Sequence, residues 1–347
     1  MAHDVTIIGL GAMGSAAAWQ LAKRGLRVLG LEQFSPGHDR GSSHGRTRVI
    51  RQAYFEHPDY VPLVLRAYEL WREIEGETKR TLFVKTGGLM IGPEGGPVFR
   101  GSLDSARKHG LHHRLLSRDE LSREYPFMRF RPEDRALWED EAGVVFAEDS
   151  VIAFQDRARE LGAELRFGVK APLPSGKVLL TAGSWLSEFA PRLPLRVERQ
   201  VMHWFDLPQR TPLFIWDYGK VPFYSIPDVR GDGVKIALHH AGETTSPDKV
   251  RRDVGADEID EVKARLRETI PALAEGYRRS ITCMYTNTPD EHFAFGFLPG
   301  RKDVVVGSPC SGHGFKFAPV VGEILADLIV DGKTRHPIAP FSLDRFK

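Results

Sequence analysis

The sequence predicts an α/β fold of two domains, and three observations carry that expectation. The chain has 347 residues, 41% of them hydrophobic, enough to bury more than one ordinary core. Val5-Thr6-Ile7-Ile8 is β-branched and apolar on both faces, as a buried parallel strand requires, and Gly9, Gly11 and Gly14 follow it directly. From Arg199 to His240, short alternating segments separated by Pro and Gly predict a second, largely antiparallel sheet.

The elements follow in order. The spacing predicts a helix over Ser15–Arg24 that closes at Gly25, a C′ position, and then a second buried strand over Arg27–Leu31 ending in Glu32. Together they form a Rossmann-like βαβ unit. Phe83 to Ile91 has strand composition, and Leu103 to His109 suggests a short helix. Ser117 and Glu120 have capping-box spacing, so a helix runs to Tyr125 before Pro126 stops it. Ser150 to Leu161 reads as a helix ending at Gly162, followed by a strand through Val169. Val178 to Thr181 is another buried strand, leading into the turn Ala182 to Trp185. Beyond the antiparallel region, Ile259, Val262, Leu266 and Ile270 share one helical face, with Pro271 just past it. Val304 to Val306 is a buried strand, Cys310 to Phe315 a glycine-containing turn, and Ala318 to Val330 a helix stopping at Gly332. The βαβ domain is expected to be discontinuous, made of residues 1–82, 142–190 and 283–347. Residues 83–141 and 191–282 would form a substrate domain with a mixed, largely antiparallel sheet.

In Gly9-x-Gly11-x-x-Gly14 the first glycine permits a tight turn, the second lets a pyrophosphate approach the backbone, and the third lets helix and strand pack closely. Glu32, 21 residues past Gly11, would accept hydrogen bonds from ribose hydroxyls and repel a 2′-phosphate. That argues for a dinucleotide other than NADP and leaves NAD and FAD unseparated. The loop Gly41 to Arg51 is too polar for a core, and Arg48 and Arg51, three apart, could share a face toward an anion.

Lys plus Arg total 48 against 46 Asp plus Glu, a net charge of +2 spread along the chain, which excludes a nucleic-acid footprint. No window approaches the roughly 18 apolar residues needed to span a bilayer. Val5 to Ala22 lacks a basic region before it, follows Asp4 and is punctuated by glycines, so a secretory signal is not expected and a cytoplasmic location is. Two cysteines, Cys283 and Cys310, are too few for a disulfide framework or a four-thiolate zinc site, and no metal is expected.

Four motifs together resemble the monomeric sarcosine oxidases and N-methyltryptophan oxidases. They are the N-terminal fingerprint, Ser43-His44-Gly45-x-Thr47-Arg48-x-x-Arg51, the run Cys283-Met284-Tyr285-Thr286-x-Thr288-Pro289-Asp290-Glu291-His292-Phe293, and Ser311-Gly312-His313-Gly314-Phe315-Lys316-Phe317. The resemblance spans nearly the whole chain. It implies FAD bound covalently, its 8α-methyl group joined as a thioether to Cys283. It implies a carboxylate clamp of Arg51 and Lys316, a substrate pocket lined by Tyr224 and His239, and Lys235 beside the flavin promoting the reaction with oxygen. Arg48 and Tyr285 map near flavin and substrate, and Ser43, His44, Gly312, His313 and Gly314 map to the cofactor. Independently of the family, the turn Gly312 to Phe315 ahead of the last helix presents backbone N–H groups and a positive dipole end to an anionic edge. Lys235 and His239, four apart in a strand-like segment, should point to one face. His313 has a plainer reading as a structural hydrogen bond within its turn, and Cys310 as a packing residue. The chain departs from the family between Gly162 and Thr181, where Ala171 to Gly176 replaces a small antiparallel excursion and would expose the adenine end.

These readings converge on a flavoprotein oxidase of secondary N-methyl amino acids, sarcosine first, using O2 and giving glycine, formaldehyde and hydrogen peroxide, and working as a monomer. N-methyltryptophan or a cyclic imino acid is the second substrate reading, because Pro340 to Phe346 resembles the N-methyltryptophan oxidases. A dinucleotide-binding sensor without catalysis is the third, and the Cys283 and Lys235–His239 matches speak against it.

Overall fold

The computed structural model describes residues 3–307 and 310–346, and among them three sheets form. The first is six-stranded, in the order Gly296–Phe297, Val304–Val306, Val178–Leu180, Val5–Ile8, Val28–Glu32, Glu164–Phe167. It is parallel except at the Gly296–Phe297 edge. Its central strands are apolar because helices cover it. The helix Ala12–Lys23 is the innermost of these, packed between Ala147–Glu160 and Ala318–Asp331, and Ala16, Ala17 and Ala18 are fully buried in that contact.

The second sheet runs Thr244–Thr245, Arg196–Phe205, Val234–Leu238, Phe223–Ile226, Leu213–Trp216, Gly88–Pro93, Asp134–Glu139, Arg114–Leu116, with Tyr277–Asn287 paired along Arg196–Phe205. Only the pairing of Leu213–Trp216 with Gly88–Pro93 is parallel. The helix Ala256–Thr269 packs Val262 and Leu266 against its Phe205–Phe214–Phe223 core. A small third sheet, Thr47–Ile50, Gly143–Phe146, Phe83–Lys85, stands between the two larger ones in chain order and carries Arg48. The strand Tyr277–Asn287, which the expected boundary at 282/283 would cut, is one continuous member of the second sheet.

Several elements differ in extent from the sequence expectation. The first helix starts at Ala12, so Gly14 lies inside its first turn. A Cβ on Gly14 would sit 1.9 Å from the Gly9 carbonyl oxygen, and helix and strand can approach this closely only with hydrogen there. Phe83 to Ile91 is two strands, Phe83–Lys85 and Gly88–Pro93, because Gly87 turns the chain with φ 67° and packs under the Trp138 ring. The helix expected from Leu103 begins at Pro97, where Gly96 is the N-cap and proline at the first position costs no hydrogen bond. The capping box at Ser117 and Glu120 forms as the spacing predicts. Ala171 to Gly176 contains no strand.

Replacing Gly14 with Ala forces helix and strand apart. The expected result is a loss of about 1–3 kcal/mol of stability, read as a lower midpoint in urea together with poor retention of any dinucleotide.

Candidate active site

The carboxyl ends of the parallel strands open on one long cavity. At one end it is lined by Gly9, Gly11 and Glu32, and at the other by Cys283, Tyr285 and Lys316. The first end fits the nucleotide half of a dinucleotide. Gly11 caps the first helix without a side-chain hydrogen bond, and Ser43 Oγ accepts the Ala12 N–H at 3.1 Å, so the helix turns its N-terminal end, the favourable one for an anion, toward the cavity. Glu32 is buried, its carboxylate accepting the Leu10 N–H at 2.8 Å and the Phe34 N–H at 3.0 Å. Burial raises its pKa, but His38 and those N–H groups outweigh it and keep the carboxylate ionised. Each oxygen retains a lone pair for a ribose hydroxyl. Lys170 and Ala171 line this end beside the shortened segment.

The polar loop Gly41 to Arg51 is held by carboxylates that its own sequence does not contain. Glu148 accepts the Gly45 and Arg46 N–H groups, and Glu139 accepts those of Gln52 and Ala53. Burial pushes Glu139 up to about 7 despite those N–H groups and Arg51. Arg51 is 1% exposed, sandwiched between the rings of Tyr54 and Phe55 at 4.2 and 4.5 Å. It donates through Nη1 to Ala53 O and through Nη2 to both Glu56 oxygens, at 2.8 and 2.6 Å, while its Nε is buried without a partner. Arg48 instead donates to Thr47 O and Ser42 O. The two guanidiniums thus line one cavity but do not share an anion, because the carboxylate of Glu56 takes Arg51 for itself.

Cys283 is buried, with Arg48 Nη2 3.7 Å from its sulfur. Burial opposes ionisation, but His44 and Arg48 draw the thiol down to about 6. Cys310, beside the turn, has burial as its main influence and is pushed up to about 12. The two thiols are therefore chemically opposite at neutral pH.

Above Cys283 in the same strand, Tyr285 packs on Gly312, where a Cβ would meet its ring at 2.4 Å. His239 Nδ1 is 3.3 Å from the Tyr285 hydroxyl, and Tyr224 lines the same wall. Burial keeps this wall uncharged: it raises Tyr224 to about 12, raises Tyr285 well above its ordinary value, and pushes His239 well below its own. Opposite charge chemistry governs Lys316, whose Nζ donates to His313 O at 2.8 Å and Tyr54 Oη at 3.2 Å. Burial and Arg51 pull it down to about 7 against the attraction of Glu56. Glu56 itself is held at about 2, because Arg51, His313 and Lys316 outweigh its burial.

Of the residues singled out in the sequence, Gly14, His44 and Lys235 are not among the described residues lining the cavity. Gly14 packs helix on strand, and His44 neighbours Cys283, whose thiol it helps to lower. Lys235 is 1% exposed, not solvated, and donates to Thr47 O at 2.6 Å with its ammonium 5.2 Å from the Trp204 ring. It reaches the neighbourhood of Arg48 from behind, whereas His239 faces the cavity. The His313 ring bonds outside its turn, with Tyr54 Oη 2.7 Å from Nδ1 and Glu291 O 3.1 Å from Nε2, while its backbone N–H donates to Cys310 O within the turn. Gly312 and Gly314 line the cavity. Glu56, Phe55 and Gln200 also line it, and nothing in local sequence marked them.

The contrast between the thiols is measurable. Iodoacetamide should alkylate Cys283 in cofactor-free protein with a midpoint near pH 6 and leave Cys310 unmodified, and Arg48→Met should move that midpoint upward.

Comparison with known proteins agrees with this geometry. A family model described as FAD dependent oxidoreductase matches residues 4–328. A monomeric sarcosine oxidase of Streptomyces avermitilis is 40% identical, over 98% of this chain and 96% of that protein. An N-methyl-L-tryptophan oxidase of Salmonella arizonae is 33% identical over 100% of each. Among solved structures, an L-proline dehydrogenase from P. horikoshii superposes with a TM-score of 0.85 at 25% identity, covering 99% of this chain and 97% of that one. A chain with this cavity and these full-length matches is an FAD-dependent oxidoreductase and belongs to the family that holds the monomeric sarcosine oxidases and N-methyl-L-tryptophan oxidases.

Proposed function

We propose that the protein oxidises N-methyl amino acids, sarcosine first, with O2 as acceptor, yielding glycine, formaldehyde and hydrogen peroxide. The observation that carries this reading is the pairing of two buried cations, Arg51 and Lys316, with the uncharged wall of Tyr224, His239 and Tyr285 in one cavity. A carboxylate on Lys316 and the free Nε of Arg51 would hold the substrate's amine end toward that wall. FAD, when bound, accepts the hydride from the N-methyl carbon and passes the electron pair to oxygen. Tyr224, Tyr285 and His239, neutral at working pH, offer hydrogen-bond acceptors to an amine proton without repelling an ammonium. A larger N-methyl amino acid is the second reading, favoured by the apolar surface of Phe55, Ile215 and Ile226 lining the cavity.

The thiolate character of Cys283 supports covalent attachment at the flavin 8α-methyl, since the thiolate is the attacking species. Buried Lys235, beside Arg48, supplies a cation for the negative charge that develops as oxygen is reduced. The relatives called monomeric suggest a chain that works alone. The two free cysteines suit a reducing cytoplasm.

A panel of secondary amines mixed anaerobically with the holoenzyme identifies the substrate, and no bleaching of the flavin by any N-methyl amino acid sinks the proposal. Lys316→Ala should weaken substrate binding about tenfold to a hundredfold, with no such loss for an N-methyl amine lacking the carboxylate. Because Lys316 is a cation only below about pH 7, affinity for a non-oxidisable carboxylate should fall as pH rises through neutrality. Acid precipitation should leave the yellow colour with the wild-type pellet and release it from Cys283→Ser.

Lys235→Met should slow flavin reoxidation by about 10²-fold and flavin reduction far less, measured by stopped flow. Its lowered pKa means that the cation is lost earlier on the alkaline side than in free lysine. Wild-type reoxidation should therefore slow as pH rises, and the variant should lose that dependence.

A further inference from the structure

Next to His239, on the side away from the cavity, lies a chain of titratable groups that the proposed chemistry has not used. The His240 ring packs on His239 at 4.2 Å and on Tyr285 at 5.3 Å between centroids. Its Nδ1 is buried and has no hydrogen-bond partner. Two carboxylates nonetheless converge on it, Glu198 at 3.7 Å and Glu291 at 3.9 Å. Exposure rises along the series, from 3% for the Glu198 side chain to 16% for His240 and 52% for Glu291.

Each member is held in place. Glu198 is paired directly opposite Tyr285 in the sheet, and accepts hydrogen bonds from Gln200, the Gly242 N–H and Asn287. Burial disfavours its charge, but His240, the Gly242 N–H and Arg196 more than offset that and keep it ionised. His240 and Glu291 both carry left-handed backbone, φ 54° and 58°, which a side chain adopts only where its surroundings insist and which gathers at functional positions. Arg196 and Glu291 line a second, outer cavity, while His239 and Tyr285 line the main one. His240, in the bend after the strand Val234–Leu238, is thus in contact with both linings, faced by Glu198 and Tyr285 from two paired strands, Glu291 from the loop beyond Tyr285, and His239 beside it in the bend.

Resting on the functional reading above, we propose that His240, with Glu198 and Glu291 as its outer neighbours, is the station through which the substrate's amine proton leaves the buried site. An amino acid's secondary amine is an ammonium at neutral pH, and its N-methyl C–H can leave as hydride only once the nitrogen lone pair is free. One N–H bond therefore breaks, its electron pair stays on nitrogen, and the proton goes to solvent. When O2 receives the electron pair and proton of that hydride, one further proton is taken up to complete H2O2, so a single route serves both directions. His239 and Tyr285 cannot keep the proton, because burial holds both uncharged. Lys316 offers no outlet, since its partners are the interior His313 O and Tyr54. His240 acts through His239 and is a positioning residue for the proton, not a group that touches substrate.

The experiment is anaerobic stopped flow of holoenzyme with sarcosine across pH 6–10, following flavin absorbance and, in weak buffer, proton release with an indicator dye. His240→Gln keeps size and hydrogen bonding but does not titrate. At neutral pH it should slow flavin reduction and proton release together by about tenfold to a hundredfold, flatten the pH profile, and leave half-saturation by substrate unchanged. Imidazole added to His240→Ala should restore the rate. Glu291→Gln, at an exposed position that leaves folding alone, should slow proton release in the same direction and decides the matter if the His240 variants fail to hold flavin. Unchanged reduction and release in His240→Gln, a His240→Ala loss that imidazole does not restore, or unaffected release in Glu291→Gln would each overturn the proposal. Failure of the wild type to be reduced by any secondary amine would instead overturn the functional reading itself, so the two failures are told apart.

Discussion

Burial of positive charge with too little counter-charge is the constraint on which the site depends. Arg51, Lys235 and Lys316 are each 5% exposed or less, yet Glu56 is the only carboxylate bonded to any of the three among the described residues. Backbone carbonyls of Ala53, Thr47 and His313 and the Tyr54 hydroxyl do the rest. A carbonyl dipole satisfies a donor without cancelling its charge, so the cavity stays electropositive, and an anion or an electron-rich transition state entering it is stabilised strongly in the low dielectric. Burial first, and the neighbouring arginine next, depress Lys316 and Lys235, while His44 and Arg48 overcome burial to draw the Cys283 thiol down.

Holding such a cluster together falls to carboxylates outside it. Glu139 and Glu148 take up the N–H groups of the loop that carries Arg48 and Arg51. Glu139 approaches from the second-sheet strand Asp134–Glu139 and Glu148 from the helix Ala147–Glu160, so the loop is fixed by elements far along the chain. The large antiparallel sheet sets the opposite wall. One strand, Tyr277–Asn287, brings Cys283 and Tyr285 to the same face two residues apart, which is why thiol and phenol lie along one line of the cavity.

What was legible in the sequence was local. The strand and glycine turn at Val5 to Gly14, the capping box at Ser117 and the helix stop at Gly332 are decided by neighbours within a few residues, and they form where the pattern puts them. Boundaries slipped where a proline or glycine props an element beyond its apolar pattern, as at Pro97 and Gly87. Most of the motif residues of the site line one cavity, Gly14, His44 and Lys235 excepted, but their partners were not legible. Glu56, Glu139 and Glu198 look like ordinary surface acids until burial reveals them, and no periodicity announces that Lys235 will meet Thr47 across 188 residues. The pairing of Arg48 with Arg51 misled for the same reason: spacing gives a shared face but not the carboxylate that divides it.

Glu56 gives the site a built-in rival. Tethered five residues from Arg51 and gripping it through both oxygens, it competes with every incoming carboxylate at the high effective concentration of an intramolecular partner. Small metabolite anions that offer nothing beyond a carboxylate gain little by displacing it. Under the proposed clamp, a molecule that also brings an amine for the neutral wall would meet the cost, and the tether would turn a generic anion trap into a filter that answers to two functional groups at once.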